Sequence, residues 1–187
     1  VPIVKFVSAK NKKRKRNISI KKTQWLNNYI DATKNKSVDL IVELIGGAEG
    51  PAKKLVFNAL KNKKHVVTAN KALIAKYGDQ LSRIAEKNKV NLEFEASVAG
   101  GIPILRSIKE GLATNKISKV YGILNGTSNY ILSEMENSDQ NFADVLKKAQ
   151  ILGYAEPGNP KLDLNGFDAF AKVRILSALA FNSKISK

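Results

Sequence analysis

Cysteine is absent from this 187-residue chain, and histidine occurs once, as His65. The first absence removes disulfides, thiolate nucleophiles and cysteine-ligated zinc; the second disfavours a histidine-built metal site or a histidine triad. Acid–base chemistry must then rest on Lys, Asp, Glu or Tyr. No apolar run approaches the roughly 18 residues that a membrane span needs. Nor does a signal-peptide pattern open the chain. The expectation is a cytoplasmic protein without a membrane partner.

Acids are few as well. Sixteen Asp and Glu face 32 Lys and Arg, for a formal net charge of +16. Such a balance raises the question of nucleic-acid binding. Its make-up argues against one: Lys outnumbers Arg 27 to 5 among those 32 cations, and the lysines are spread through every segment. Base-edge readers and phosphate clamps favour Arg, so the charge reads as a lysine-rich solvated surface. One cluster stands apart. In "KNKKRKRN", residues 10–17, five cations from Lys12 to Arg16 follow one another with no acid nearby.

What is present suffices for a core, since 43% of the residues are hydrophobic. Strand-like and helix-like segments alternate through the first half, the pattern of a parallel α/β sheet. "VPIVKFV" reads as a strand, and "VDLIVELIGG" as a strand buried on both faces. Pro51 opens a helix with Ala52, Leu55, Val56, Ala59 and Leu60 inward. "HVVTAN" is the next strand, and the helix after it turns Leu73, Tyr77, Leu81 and Ile84 inward. "VNLEFEASV" alternates, with Val90, Leu92, Phe94 and Ala96 on one side.

After Gly101 the character changes. "IPILRSIKEGLATN" reads as a helix with Ile104, Leu105, Ile108 and Leu112 inward, and "ISKVYGILNG" as a strand. "TSNYILSEMEN" reads as a helix capped by Thr127 or Ser128, and "NFADVLKKAQILGY" as a helix ended by Gly153. The domain boundary is placed between residues 100 and 101. Val1 already lies in an apolar run and the chain stops just past a helix, so both ends read as cut.

In open parallel sheets ligands bind beyond the carboxyl ends of the strands. Three such ends stand out: "ELIGG" with Gly46 and Gly47, "TANK" ending in Lys71, and "EASVAGG" beginning at Glu95. Further on, "GYAEPGNPKLDLNGFDAFAK" gathers acids around a lysine. Asp168 and Lys172 are four apart on one helix face, and that helix is expected to turn Phe170, Val173, Leu176 and Leu179 inward. Spacing alone is equally that of an ordinary ion pair. Glu156 and Asp163, on the loop entering the helix, favour a reaction centre.

Six stretches, "VELIGG", "VVTANKALIA", "EASVAGGIPI", "GILNGTSNYIL", "LGYAE" and "LDLNGFDAFAK", resemble homoserine dehydrogenases in this order. The resemblance implies a fold class: part of a Rossmann-type parallel sheet (residues 1–100), then part of an α+β substrate and dimerisation domain (residues 101–187). It implies NAD(P)-dependent interconversion of L-homoserine and L-aspartate 4-semialdehyde. Lys172 then matches the acid–base lysine and Lys71 a second lysine near nicotinamide and substrate. Glu156, Asp163 and Asp168 match the substrate-binding acids. Gly46, Gly47 and Gly153 fall at the cofactor. Glu95, Val98, Gly100 and Ile102 fall on a loop that holds a monovalent cation such as Na+. A homodimer is the implied assembly.

Three departures qualify the transfer. The glycine-rich phosphate loop and first strand are expected upstream of Val1, so the chain by itself is expected to be inactive. "EPGNPKLD" is one residue longer than the family's loop. The family's closing strands are expected beyond Lys187. Lys12 and Arg14, where a dinucleotide fold chooses between a ribose hydroxyl and a 2′-phosphate, point to NADP over NAD. Two alternatives stand beside this reading: a basic nucleic-acid-binding module built on "KKRKR", and a dehydrogenase for another amino-acid aldehyde.

Overall fold

The computed structural model describes residues 2–17, 23–155 and 164–183, arranged as two compact units, Val1–Ser97 and Val98–Lys187. No helix among the described residues is long and apolar enough to cross a membrane.

The first unit is parallel α/β. Strand β1 (Phe6–Val7) pairs in parallel with β2 (Gln24–Trp25), a strand that periodicity did not single out. After a short helix α1 (Asp31–Lys34), a second parallel ladder runs β3 (Leu40–Glu43), β4 (His65–Thr68), β5 (Leu92–Glu93). Two helices connect these strands, α2 (Pro51–Lys61) and α3 (Lys71–Asn88).

Helix α2 buries Ala52, Leu55, Val56, Ala59 and Leu60, the five positions its period marks. Pro51 sits in its first turn, where a missing N–H costs nothing. Helix α3 is rotated from expectation. Leu73, Ile74, Leu81 and Ala85 are buried, while Tyr77 and Ile84 are half-buried. Tyr77 is drawn sideways by its hydroxyl, which reaches Glu49 and Lys53, and by an edge-on contact with Phe57 at 5.9 Å.

Two strand expectations are corrected. β3 is buried on one face: Ile41 and Glu43 point inward, while Leu40 and Val42 are 40% and 58% exposed. β5 ends early, because Glu95–Ser97 wind into a 3₁₀ turn after Phe94 and leave Ala96 exposed. The Ser97 hydroxyl donates to the Phe94 carbonyl at 2.5 Å and fixes that turn.

The regular elements described in the second unit are helices. Helix α4 (Ile104–Arg106) widens into a π turn over Ser107–Gly111, closed by Leu112 N–H on the Ser107 carbonyl at 2.9 Å. Leu105 and Ile108 are buried there, but Leu112 is 43% exposed. Residues 117–125 do not form a strand, since no ladder among the described residues pairs with them. Helices α5 (Gly126–Asn137) and α6 (Phe142–Ile151) pack through Ile131, Val145, Ala149 and the following Ala155. Helix α7 (Phe167–Ala180) buries Asp168, Ile175 and Leu176. Phe170 and Val173, expected inside, are 62% and 48% exposed, so the packed face is the one that carries the charges.

Candidate active site

The charged face of α7 is built from its first turn. Gly166, at φ +74°, swings the chain into the helix, and Asp168 stands where the partial positive charge of a helix N-terminus favours a carboxylate. One turn on, Lys172 Nζ lies 2.6 Å from Asp168 Oδ2; the side chains are 18% and 8% exposed. Lys172 also donates to the backbone carbonyl of Leu124 at 2.7 Å. Asn125 Nδ2 donates to Asp168 Oδ2 at 3.2 Å.

Asn125 does two things. Its Oδ1 accepts the N–H of Ser128 at 2.7 Å and so caps α5, a position assigned from sequence to Thr127 or Ser128. Its amide nitrogen meanwhile reaches α7. The cap of one helix thus orients the acid of another. Asn ahead of Gly126 was a usable cap signal, but its contact 43 residues away has no local signature.

An open cleft of about 350 Å³ adjoins this cluster, with walls that include Val98, Ala99, Leu124, Asn125 and Asn129 beside Lys172. Two of the three ammonium protons are engaged by Asp168 and Leu124, and the third finds no acceptor among the described residues. A half-enclosed ammonium with one proton left to give can donate to an oxygen placed in the cleft.

Glu156 and Asp163 lie outside the described residues. Gly153, at φ +80°, closes α6 as expected: Tyr154 N–H reaches the Ala149 carbonyl at 2.8 Å, and Gly153 N–H that of Gln150 at 3.2 Å. Thr127, buried, donates its hydroxyl to the carbonyl of Tyr154 and ties this corner to α5.

No group of three or more acidic or His side chains among the described residues is placed to hold a metal. The loop expected to hold a cation offers carbonyls instead. Ala99 and Gly101 take φ of +50° and +90°, and the carbonyls of Ala99 and Ile102 accept the N–H groups of Ile102 and Ile104, each at 2.8 Å. The carbonyls of Val98 and Gly100 have no hydrogen-bond donor among the described residues. Such oxygens suit a hard monovalent ion. Glu95 belongs to the first unit, at the start of its 3₁₀ turn.

Lys71, Gly46 and Gly47 lie at the carboxyl edge of the second ladder. Gly46 and Gly47 take φ of +85° and +79°, and a Cβ on either would meet nothing within 4 Å, so the loop faces open space. Asn70 caps α3 through the Leu73 N–H at 3.1 Å, and Lys71 is the first helical residue. Beneath the loop lies a residue that sequence reasoning passed over. Glu43, fully buried, accepts from the N–H groups of Ile45 at 2.6 Å and Gly46 at 3.0 Å, and from the Thr68 hydroxyl at 2.5 Å. An acid amid apolar strand residues was its only cue.

The basic loop is more ordered than its composition suggests. The Arg16 guanidinium donates to the carbonyls of Asn11, Lys12 and Arg14 at 2.9, 3.3 and 2.8 Å. It also lies 5.4 Å from the Trp25 ring centroid, with Lys12 Nζ at 5.8 Å. Arg14 is exposed. On the surface of α2 and α3, Lys76, Tyr77 and Lys53 converge on Glu49 and hold its carboxyl down to about 2, the hydrogen bond from Lys76 weighing most.

Two family models match the chain, "Homoserine dehydrogenase, NAD binding domain" over residues 2–95 and "Homoserine dehydrogenase" over residues 103–187. A homoserine dehydrogenase of Neisseria gonorrhoeae is 54% identical over 151 residues, 81% of this chain and 34% of that protein. A crystal structure of the Staphylococcus aureus enzyme is 42% identical, with a TM-score of 0.83 over 98% of this chain and 43% of its own. A hyperthermophilic archaeal homoserine dehydrogenase in complex with NADPH is 27% identical, with a TM-score of 0.76 over 84% of this chain and 48% of its own. The chain spans about a third to a half of the lengths of these proteins.

Proposed function

Because the chain belongs to the homoserine dehydrogenase family, we propose that the protein containing it interconverts L-homoserine and L-aspartate 4-semialdehyde with a nicotinamide dinucleotide. The observation that carries this reading is the ammonium of Lys172, fixed by Asp168 and Leu124 at the wall of a cleft.

A bound nicotinamide supplies hydride chemistry; the chain must orient substrate and move one proton. In aldehyde reduction, Lys172 gives a proton from Nζ to the carbonyl oxygen as it becomes an alkoxide. In the reverse direction, neutral Lys172 takes the hydroxyl proton of homoserine. Asp168 holds Nζ in place. Together with Glu156 it binds the substrate's ammonium group, since an acceptor-only carboxylate suits a donor-only cation, and Asp163 is a further substrate-binding acid.

At the sheet edge, Gly46, Gly47 and Lys71 hold the nicotinamide end of the dinucleotide, and Gly153 is the second domain's cofactor-binding residue. Lys12 and Arg14 select NADP by meeting its 2′-phosphate. The NADPH bound to the archaeal relative supports the cofactor class. Glu95 with the carbonyls of Val98, Gly100 and Ile102 binds Na+ or a similar ion. The working assembly is a cytoplasmic homodimer, with residues 1–100 and 101–187 as the two domains. The 187 residues alone are inactive in this reading, because they contain no G-x-G-x-x-G turn for the pyrophosphate.

The test is oxidation of L-homoserine by the complete protein, followed as NADPH absorbance, against short amino alcohols that lack the carboxylate or the extra methylene. Turnover restricted to homoserine is expected. Preference for another amino alcohol would reassign the substrate.

A further inference from the structure

Glu43 is a carboxylate with no cation beside it among the described residues, at 0% exposure, where its inward strand neighbour Ile41 shows that an apolar side chain would pack. Burying an acid is costly unless its oxygens are satisfied. Here they are met by groups that all belong to the edge of the sheet. Oε1 accepts two successive loop amides, Ile45 and Gly46, and Oε2 accepts the Thr68 hydroxyl.

The bonds continue from there. Thr68 Oγ1 accepts the N–H of Asn70 at 3.0 Å, and Asn70 Nδ2 donates to the carbonyl of Gly47 at 2.8 Å. Asn70 Oδ1 caps the helix that Lys71 begins. One buried acid therefore sets the orientation of the peptides from Leu44 to Gly47 and, through Thr68 and Asn70, of the first turn of α3. Only an acceptor-only group can take both amides and the hydroxyl at once.

We propose that Glu43 is a positioning residue for the dinucleotide: it aims the glycine loop and the Lys71 turn at the nicotinamide without touching it. This rests on the reading that the cofactor lies at this edge. Loss of a buried charged hydrogen-bond acceptor loosens the loop and weakens dinucleotide binding, while substrate recognition in the second domain is spared.

The experiment uses the complete protein and its Glu43→Gln, Thr68→Val and Thr68→Ser variants. NADPH affinity is measured by nicotinamide fluorescence, homoserine KM at saturating NADP, and hydrogen exchange at the Ile45 and Gly46 amides. Glu43→Gln should weaken NADPH binding about tenfold or more and speed exchange at both amides. Thr68→Val should weaken it about threefold and Thr68→Ser, which keeps the donor, should restore it. Homoserine KM should stay within about twofold throughout. Thr68→Val keeps the shape of the site, so it decides the matter should Glu43→Gln fail to fold. Unchanged NADPH affinity in the variants overturns the proposal. So does an equal loss for NADPH and homoserine with a lowered melting temperature, which marks a purely structural role. Wild-type protein that binds no dinucleotide at all overturns the cofactor reading itself, and this inference with it.

Discussion

Asp168 Oδ2 receives Lys172 from its own helix at 2.6 Å and Asn125 from the cap of another at 3.2 Å. One oxygen thus joins the Lys172 ammonium to the residue that caps α5.

Asn125→Ser separates the two jobs of Asn125. Serine keeps an oxygen for the Ser128 N–H but is too short to reach Asp168, so stability should hold while kcat falls about tenfold, the worth of one lost bond to a charged group. Asn125→Ala loses both, and should in addition cost about 1 kcal/mol of stability in urea unfolding. Equal kcat in the Ser variant and the wild type would separate Asn125 from the chemistry.

Cofactor choice is tested at the basic loop. Lys12→Ala with Arg14→Ala should lower affinity for NADPH about tenfold and leave that for NADH within about twofold, since only the former carries the 2′-phosphate. Wild-type affinity for NADH equal to or above that for NADPH would remove the 2′-phosphate role from this loop.

The Glu49 cluster gives a pH signature. Its carboxyl is held at about 2, below the ordinary 4.5, by Lys76, Tyr77 and Lys53. A depressed acid stabilises the folded state above its ordinary value, and the contribution fades as pH falls from 4.5 through about 2. Glu49→Gln should therefore lower the urea midpoint slightly at pH 7, with the gap closing on acidification. Added salt should also shrink it, because the group is on the surface. A gap that widens at low pH would contradict this.

Leu60, on α2, is fully buried. Leu60→Ala should cost about 2–5 kcal/mol in urea unfolding of the complete protein, through lost burial and a residual cavity. A cost below about 1 kcal/mol would mean the site collapses freely.

Legibility in the sequence followed the range of the forces. The inward face of α2 could be read because its apolar period is clean and nothing polar competes. On α3 the period was overruled by Tyr77, whose hydroxyl seeks Glu49 and Lys53. On α7 the apolar residues misled: Phe170 and Val173, expected inward, are exposed, and the packed face instead carries Asp168 and Lys172 with Ile175 and Leu176. The Asp168–Lys172 pair itself was legible, since i,i+4 spacing is local. The Leu124 carbonyl and Asn125, 48 and 43 residues from their partners, were not, because a long-range contact leaves no mark in composition or period. Residues 117–125 looked like a strand for their β-branched and aromatic content, but a strand also needs a partner, and none among the described residues supplies one.

The proton-moving role of Lys172 is tested most directly by steady-state oxidation of homoserine with the complete protein and its Lys172→Ala variant, NADPH affinity being measured alongside. The expected result is a fall in kcat of about 10²- to 10⁴-fold with NADPH affinity kept within about twofold. A variant that retains kcat to within about a factor of two would contradict the assignment of Lys172 as the acid–base group.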